Sequence, residues 1–242
     1  MRFWEIDALR GIAILLMILF NWAFALQYLQ ITSLDLGWIF WSLFPRAIAS
    51  MFIIIAGISF VISYSRAAAE KQKKSGVYKK YLTRGLKIFL LGLLATAATW
   101  IFFPQNTILF GILHFIGVAL MAAPLLIKLR RWTLPSAIIF IAIGVFLQNF
   151  TVSYPWLLWL GFQPANFYTF DYFPLLPWLG VFMIGIFLGD RLYKKGRRTF
   201  KTRNETITAK ILSFLGRHSL LIYVLHQPVL LAILYALGYA VL

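Results

Sequence analysis

The chain has 242 residues, 62% of them hydrophobic and only 12% charged, with a formal net charge of +16 and no cysteine. That much apolar surface exceeds what a soluble interior of this size can hide, so a water-soluble domain is excluded first. The missing cysteines exclude disulfides, thiolate catalysis and Cys-ligated metals.

Residues 5–21 read EIDALRGIAILLMILFN. Glu5, Asp7 and Arg10 open the first apolar stretch, and Asn21 closes a run of ten apolar residues. Ala23-Phe24-Ala25 imitates a leader-cleavage site, but Glu5 and Asp7 cancel Arg2 and Arg10, unlike a basic leader. The stretch is therefore expected to persist as a membrane span.

Seven apolar stretches are long enough to cross a bilayer: about 8–29, 38–63, 83–103, 107–127, 134–150, 172–190 and 217–241. No alternating strand pattern accompanies them, so the expected fold is an all-α polytopic helical bundle forming one domain over 1–242. Segments 66–87, 128–131 and 191–210 hold eight, three and eight Lys/Arg, whereas 30–37, 104–106 and 151–171 hold none. Nineteen of 23 basic residues thus occupy every second connection. This places the N-terminus in the cytoplasm and the C-terminus outside, in a multi-pass cell-membrane protein. The charge so distributed is a topology signal, and nucleic acid is not an expected partner; lipid is. The outer stretch SYPWLLWLGFQPANFYTFD, with Trp156 and Trp159, reads as an aromatic belt or as a substrate platform, and a short interfacial helix over 155–163 fits either.

At 1.5 Å of rise per residue, Asn21 lies about 16 Å beyond Arg10 and nearly three turns along the same face. Arg46, on the second span, falls roughly 13 Å below the outer surface. His114, in GILHFIG, is about 10 Å deep, and His226, in YVLHQPVL, about 13 Å above the inner edge. Pro228 frees the Val224 carbonyl beside that histidine. Four spans therefore bring a polar residue to the centre, while Glu5, Asp7, Arg10, Asp190, Arg217 and His218 gather at the inner edge. An Arg at this depth requires an acceptor or a water-filled cavity, for which Asp171 is a candidate. His114 and His226 are the two central groups that take a proton near neutral pH. Three histidines with no carboxylate at their depth make a poor metal site, so no metal is expected.

EIDALRGIAILLMILFN, FIIIAGIS, GILHFIG, DYFPLLPWLG and LGRHSLLIYVLHQP, in this order, resemble the prokaryotic relatives of heparan-α-glucosaminide N-acetyltransferase, within a wider superfamily of transmembrane acyltransferases. The resemblance implies an enzyme that moves an acyl group, usually acetyl from cytosolic acetyl-CoA, to an amine or hydroxyl of a sugar or lipid-linked sugar. It implies that Arg10 and Arg217, with Glu5, Asp7 and His218 at the same edge, form the mouth for coenzyme A. His114 would be the general base, Asn21 and Arg46 the donors to the oxyanion, and His226, Gln227, Asp171, Trp156 and Trp159 the groups that hold the acceptor. Two positions depart from the relatives: Asn21 stands where many carry His, and Thr32 stands where the lysosomal enzyme carries its proposed catalytic His. The rival expectation is a non-enzymatic carrier of small molecules or lipids on the same scaffold, and a homo-oligomer stays open.

Overall fold

The computed structural model describes residues 3–70, 74–153, 155–202 and 204–239. These form eight α-helices: α1 (Trp4–Tyr28), α2 (Phe44–Ala69), α3 (Lys74–Phe102), α4 (Ile112–Leu126), α5 (Thr133–Leu147), α6 (Leu175–Leu192), α7 (Ile207–Arg217) and α8 (Ser219–Ala236). Among the described residues, six segments are long and apolar enough to span a membrane. One of them, Ile112–Leu147, is broken at Arg130, where φ is +47° and the chain leaves α4 for α5. The protein is an all-helical, polytopic membrane protein.

The expected spans correspond to α1 through α6 and α8, with shifted ends. The largest shift is in α3, which starts at Lys74 although the basic run to Lys87 reads as a loop. Lys and Arg are good helix formers, and here the charged turns simply continue the span. A π-helical turn, Ile39–Leu43, precedes α2. Of the outer stretch, Pro155–Leu157 alone forms a 3₁₀ turn. Arg2, Tyr154 and the expected end of the last span, 240–241, lie outside the described residues.

The chain divides into two compact units, Met1–Ile55 with Thr202–Leu242, and Ala56–Lys201. In the first unit α7 lies against the start of α1 through small residues. A Cβ on Gly216 would sit 1.7 Å from the Asp7 carbonyl oxygen, and one on Gly11 would sit 2.1 Å from that of Leu212. Glycine at both places lets the two backbones approach as closely as they do. Ser213, buried beside them, donates to the Trp4 carbonyl at 3.1 Å. Thr206 starts α7 by accepting from the Ala209 amide at 3.2 Å. Further along α1, Ile14 and Met17 pack with Ile48, Phe44, Leu215, Ile222 and Tyr223, and Ala25 packs with Leu230 and Leu234 of α8.

In the second unit α3 meets α4 through Gly85, Gly92 and Gly117. Large side chains such as Leu94, Trp100 and Ile101 on α3 and Ile138 and Phe146 on α5 are exposed, as a lipid-facing surface requires.

Candidate functional site

The first unit holds an amide pair across α1 and α8. Gln227 Nε2 donates to Asn21 Oδ1 at 2.7 Å, and Asn21 Nδ2 donates to the Met17 carbonyl at 2.9 Å. Each primary amide carries two N–H hydrogens, so each keeps one beyond these bonds. His226 is the neighbour of Gln227 on α8. Its Nδ1 lies 2.5 Å from the Tyr223 carbonyl oxygen, which can only accept, so Nδ1 carries the proton. Nε2 is then an unprotonated lone pair. It is buried and has no hydrogen-bond partner among the described residues.

Arg46 is exposed, and one nitrogen of its guanidinium is bonded one turn back: Nη1 donates to Ser42 Oγ at 2.7 Å and to the Ser42 carbonyl at 3.2 Å. Ser42 supplies the acceptors for which the sequence suggested a carboxylate. Ser50 donates in turn to the Arg46 carbonyl at 2.8 Å. At the start of α1, Asp7 is 7% exposed and accepts from Arg10 at 2.9 Å. Arg217 and His218 are exposed at the α7–α8 junction, where His218 Nδ1 pairs with the Phe214 carbonyl at 2.9 Å. Glu5 lies in the first turn of α1 with Asp7.

The second unit holds His114, 2% exposed at the start of α4. The Gly111 amide donates to His114 Nδ1 at 3.2 Å, which makes Nδ1 the acceptor and puts the proton on Nε2. Nε2 faces Thr96 Oγ1 of α3 at 3.5 Å, and that hydroxyl donates to the Ile108 carbonyl at 2.6 Å. The ring lies between Phe89, edge-on at 5.2 Å, and Phe110, stacked at 5.7 Å. A Cβ on Gly92 would come within 2.9 Å of Nδ1, so only glycine there leaves room for the imidazole. Both ring nitrogens are committed, and the residue works as a cap.

Asp171 shares that work, accepting from the Ile112 amide at 2.9 Å. A carboxylate at a helix N-terminus satisfies an orphan N–H and meets the positive end of the helix dipole. Asp171→Ala is therefore expected to lower stability by about 1–2 kcal/mol, read from thermal unfolding in detergent. Around Asp171 the segment between α5 and α6 is tied down: Thr169 donates to the Thr107 carbonyl at 2.7 Å and Tyr172 to that of Leu158 at 2.8 Å. Burial pushes the Tyr172 phenol up, so it stays a donor at any physiological pH. Trp156 and Trp159 are exposed on the same segment, at 78% and 46%.

The structure thus brings Asn21 together with Gln227, Asp7 with Arg10, and both His114 and Asp171 to the first turn of α4. Arg46 bonds to Ser42 in the π-helical turn that precedes α2. Thr96 and Ser42 were not singled out from the sequence. Ser42 is a lone hydroxyl in an apolar run and Thr96 pairs with Thr99 in another, and that is the signal that marks them.

Each unit thus fixes polar groups among helices long enough to cross a membrane, amides and an imidazole in the first and an imidazole and a carboxylate in the second, where lipid makes such groups costly. The sequence model of the heparan-alpha-glucosaminide N-acetyltransferase catalytic family matches residues 2–228, and the chain belongs to that family. The matched span takes in Asn21, His114, His226 and Gln227. Comparisons with curated proteins and with solved structures find no match.

Proposed function

We propose that the chain transfers an acetyl group from cytosolic acetyl-CoA to an amine or hydroxyl of a sugar, free or lipid-linked. The observation that carries this reading is the family match over 2–228, which spans every polar group described above. The geometry supports it with the Asn21–Gln227 pair, whose two remaining N–H groups suit the oxyanion of a tetrahedral intermediate. Water-excluded donors of this kind contribute several kcal/mol to such a step.

Arg217 and His218, exposed at one junction, together with Arg10 held by Asp7, hold the phosphates of coenzyme A. A guanidinium matches phosphate geometry and cannot lose its proton. Glu5 lies in the same first turn of α1 as Asp7. Trp156 and Trp159, exposed in the second unit, carry flat apolar faces of the kind that stack on a sugar ring. His114 serves this reading as a support for the start of α4, because neither ring nitrogen is free to accept a proton. Arg46 is held at Nη1 by Ser42, and this reading gives it no step of its own.

Thermal unfolding with and without coenzyme A tests the reading. At a hundredfold excess over the dissociation constant, a ligand of the folded state adds about 2.7 kcal/mol of stability. The melting temperature of the full chain is expected to rise, and no rise at millimolar coenzyme A would favour a carrier instead. Arg217→Ala is expected to weaken the apparent affinity about tenfold, as one lost charge-assisted bond to phosphate does.

A further inference from the structure

We propose that His226 is the group that takes the proton from the acceptor, in place of the first-span histidine that this chain lacks. The inference rests on the acyl-transfer reading above and assigns its base. A general base needs a lone pair facing the substrate and a second ring nitrogen held so that the tautomer is fixed. The two membrane-embedded histidines differ in this respect. His114 spends Nδ1 as the acceptor of the Gly111 amide and turns its Nε2–H toward Thr96. His226 has the opposite tautomer: Nδ1–H is anchored on the Tyr223 carbonyl, and Nε2 is buried with no partner among the described residues. A polar atom left unpaired in the interior is costly, and such atoms call for an occupant.

The surroundings suit an acceptor hydroxyl or amine. Gln227 follows His226 directly and brings the amide pair with Asn21 to the next position on α8. Pro228 lies inside α8 and lacks an N–H, so the Val224 carbonyl loses the donor four residues on, which suits it to a second polar hydrogen of the acceptor. Val224, Leu225 and Val229 are exposed on the same stretch.

The step balances as follows. Nε2 takes the proton of the acceptor O–H or N–H as that oxygen or nitrogen bonds to the thioester carbonyl carbon. Asn21 and Gln227 donate to the resulting oxyanion. The carbon–sulfur bond then breaks, and the imidazolium returns the proton to the departing sulfur, which leaves as the thiol of coenzyme A.

His226→Asn separates this role from a structural one. An asparagine amide can still donate to the Tyr223 carbonyl, but it places no lone pair where Nε2 stands. Turnover with acetyl-CoA and an amino sugar is expected to fall by about a hundredfold or more, while the coenzyme A-induced rise in melting temperature persists. Nitrogen-15 NMR of labelled histidine in the wild-type chain is expected to show a protonated Nδ1 and a bare Nε2 for His226. Wild-type turnover in His226→Asn, or a protonated Nε2 at neutral pH, would overturn the assignment while leaving the acyl-transfer reading in place. A wild-type chain that neither responds to coenzyme A nor transfers acetyl would overturn the reading, and the base assignment with it.

Discussion

Gly216→Val is expected to detach α7 from α1 and to cost more stability than any other single change in the first unit. The new Cβ would be built 1.7 Å from the Asp7 carbonyl oxygen, with Gly11 N at 3.0 Å. Neither obstacle is the tip of a flexible side chain that can swing aside, so one of the two backbones has to move. Overpacking of this kind costs about 3 kcal/mol, toward the upper end of its usual range, because the clash is with main chain. For a chain of this length the melting temperature should drop by roughly 6–12 °C. The change also loosens the Ser213–Trp4 bond and, through the single linking residue His218, the start of α8. Acetyl transfer should fall along with folding. Gly76→Ala is the control. Nothing lies within 4 Å of the added methyl, the site is helical, and the substitution should leave the chain unchanged or slightly more stable.

His114→Ala should rank next, with a loss of about 3 kcal/mol. The substitution strips the Gly111 amide of its acceptor, removes the partner of Thr96 and empties a 2%-exposed site between Phe89 and Phe110. Asparagine at this position restores an acceptor for the amide and should recover about 1 kcal/mol of that loss, as an N-terminal cap does. Because the role is structural, the turnover of the fraction that remains folded should stay near wild type. Thermal unfolding and single-turnover assays on the same samples separate the two effects. A hundredfold loss of turnover in fully folded His114→Ala would assign it the proton transfer after all.

Much of the architecture was legible from apolar length, because a lipid core demands about twenty apolar residues per span and leaves few other solutions. The helix α7 was not. It runs from the end of the basic segment 191–210 to the expected start of the last span at 217, and its buried face is made of Ala209, Ser213 and Gly216, while Ile207, Ile211 and Phe214 are exposed. Hydrophobic periodicity would have assigned it the wrong face, since small residues, not large apolar ones, set its contact with α1. The charged start of α3 was missed for a related reason: positive charge marks which side of a membrane a segment faces, not whether it is helical.

The site was legible in depth but not in partnership. Rise per residue placed Asn21 in the middle of its span, yet its partner Gln227 lies 206 positions away, and only helix packing reveals it. His114 and His226 look alike as single histidines in apolar runs. What distinguishes them is which nitrogen each one spends, and that is set by the first turn of α4 in one case and by a carbonyl three residues back in the other. For Arg46 the sequence pointed to a carboxylate, but Nη1 finds its acceptors on Ser42, one turn back in the π-helical turn before α2, and a serine in an apolar run carries no charge to draw attention to it.

The central claim is that this membrane bundle moves an acetyl group between coenzyme A and a sugar. The most direct measurement follows the label: the full chain in lipid nanodiscs, acetyl-CoA carrying carbon-14 in its acetyl group, and glucosamine, free or lipid-linked, as acceptor. The account predicts that the label passes to the sugar with an equal amount of free coenzyme A released. Label that stays on coenzyme A with every amino and hydroxyl sugar offered would contradict it.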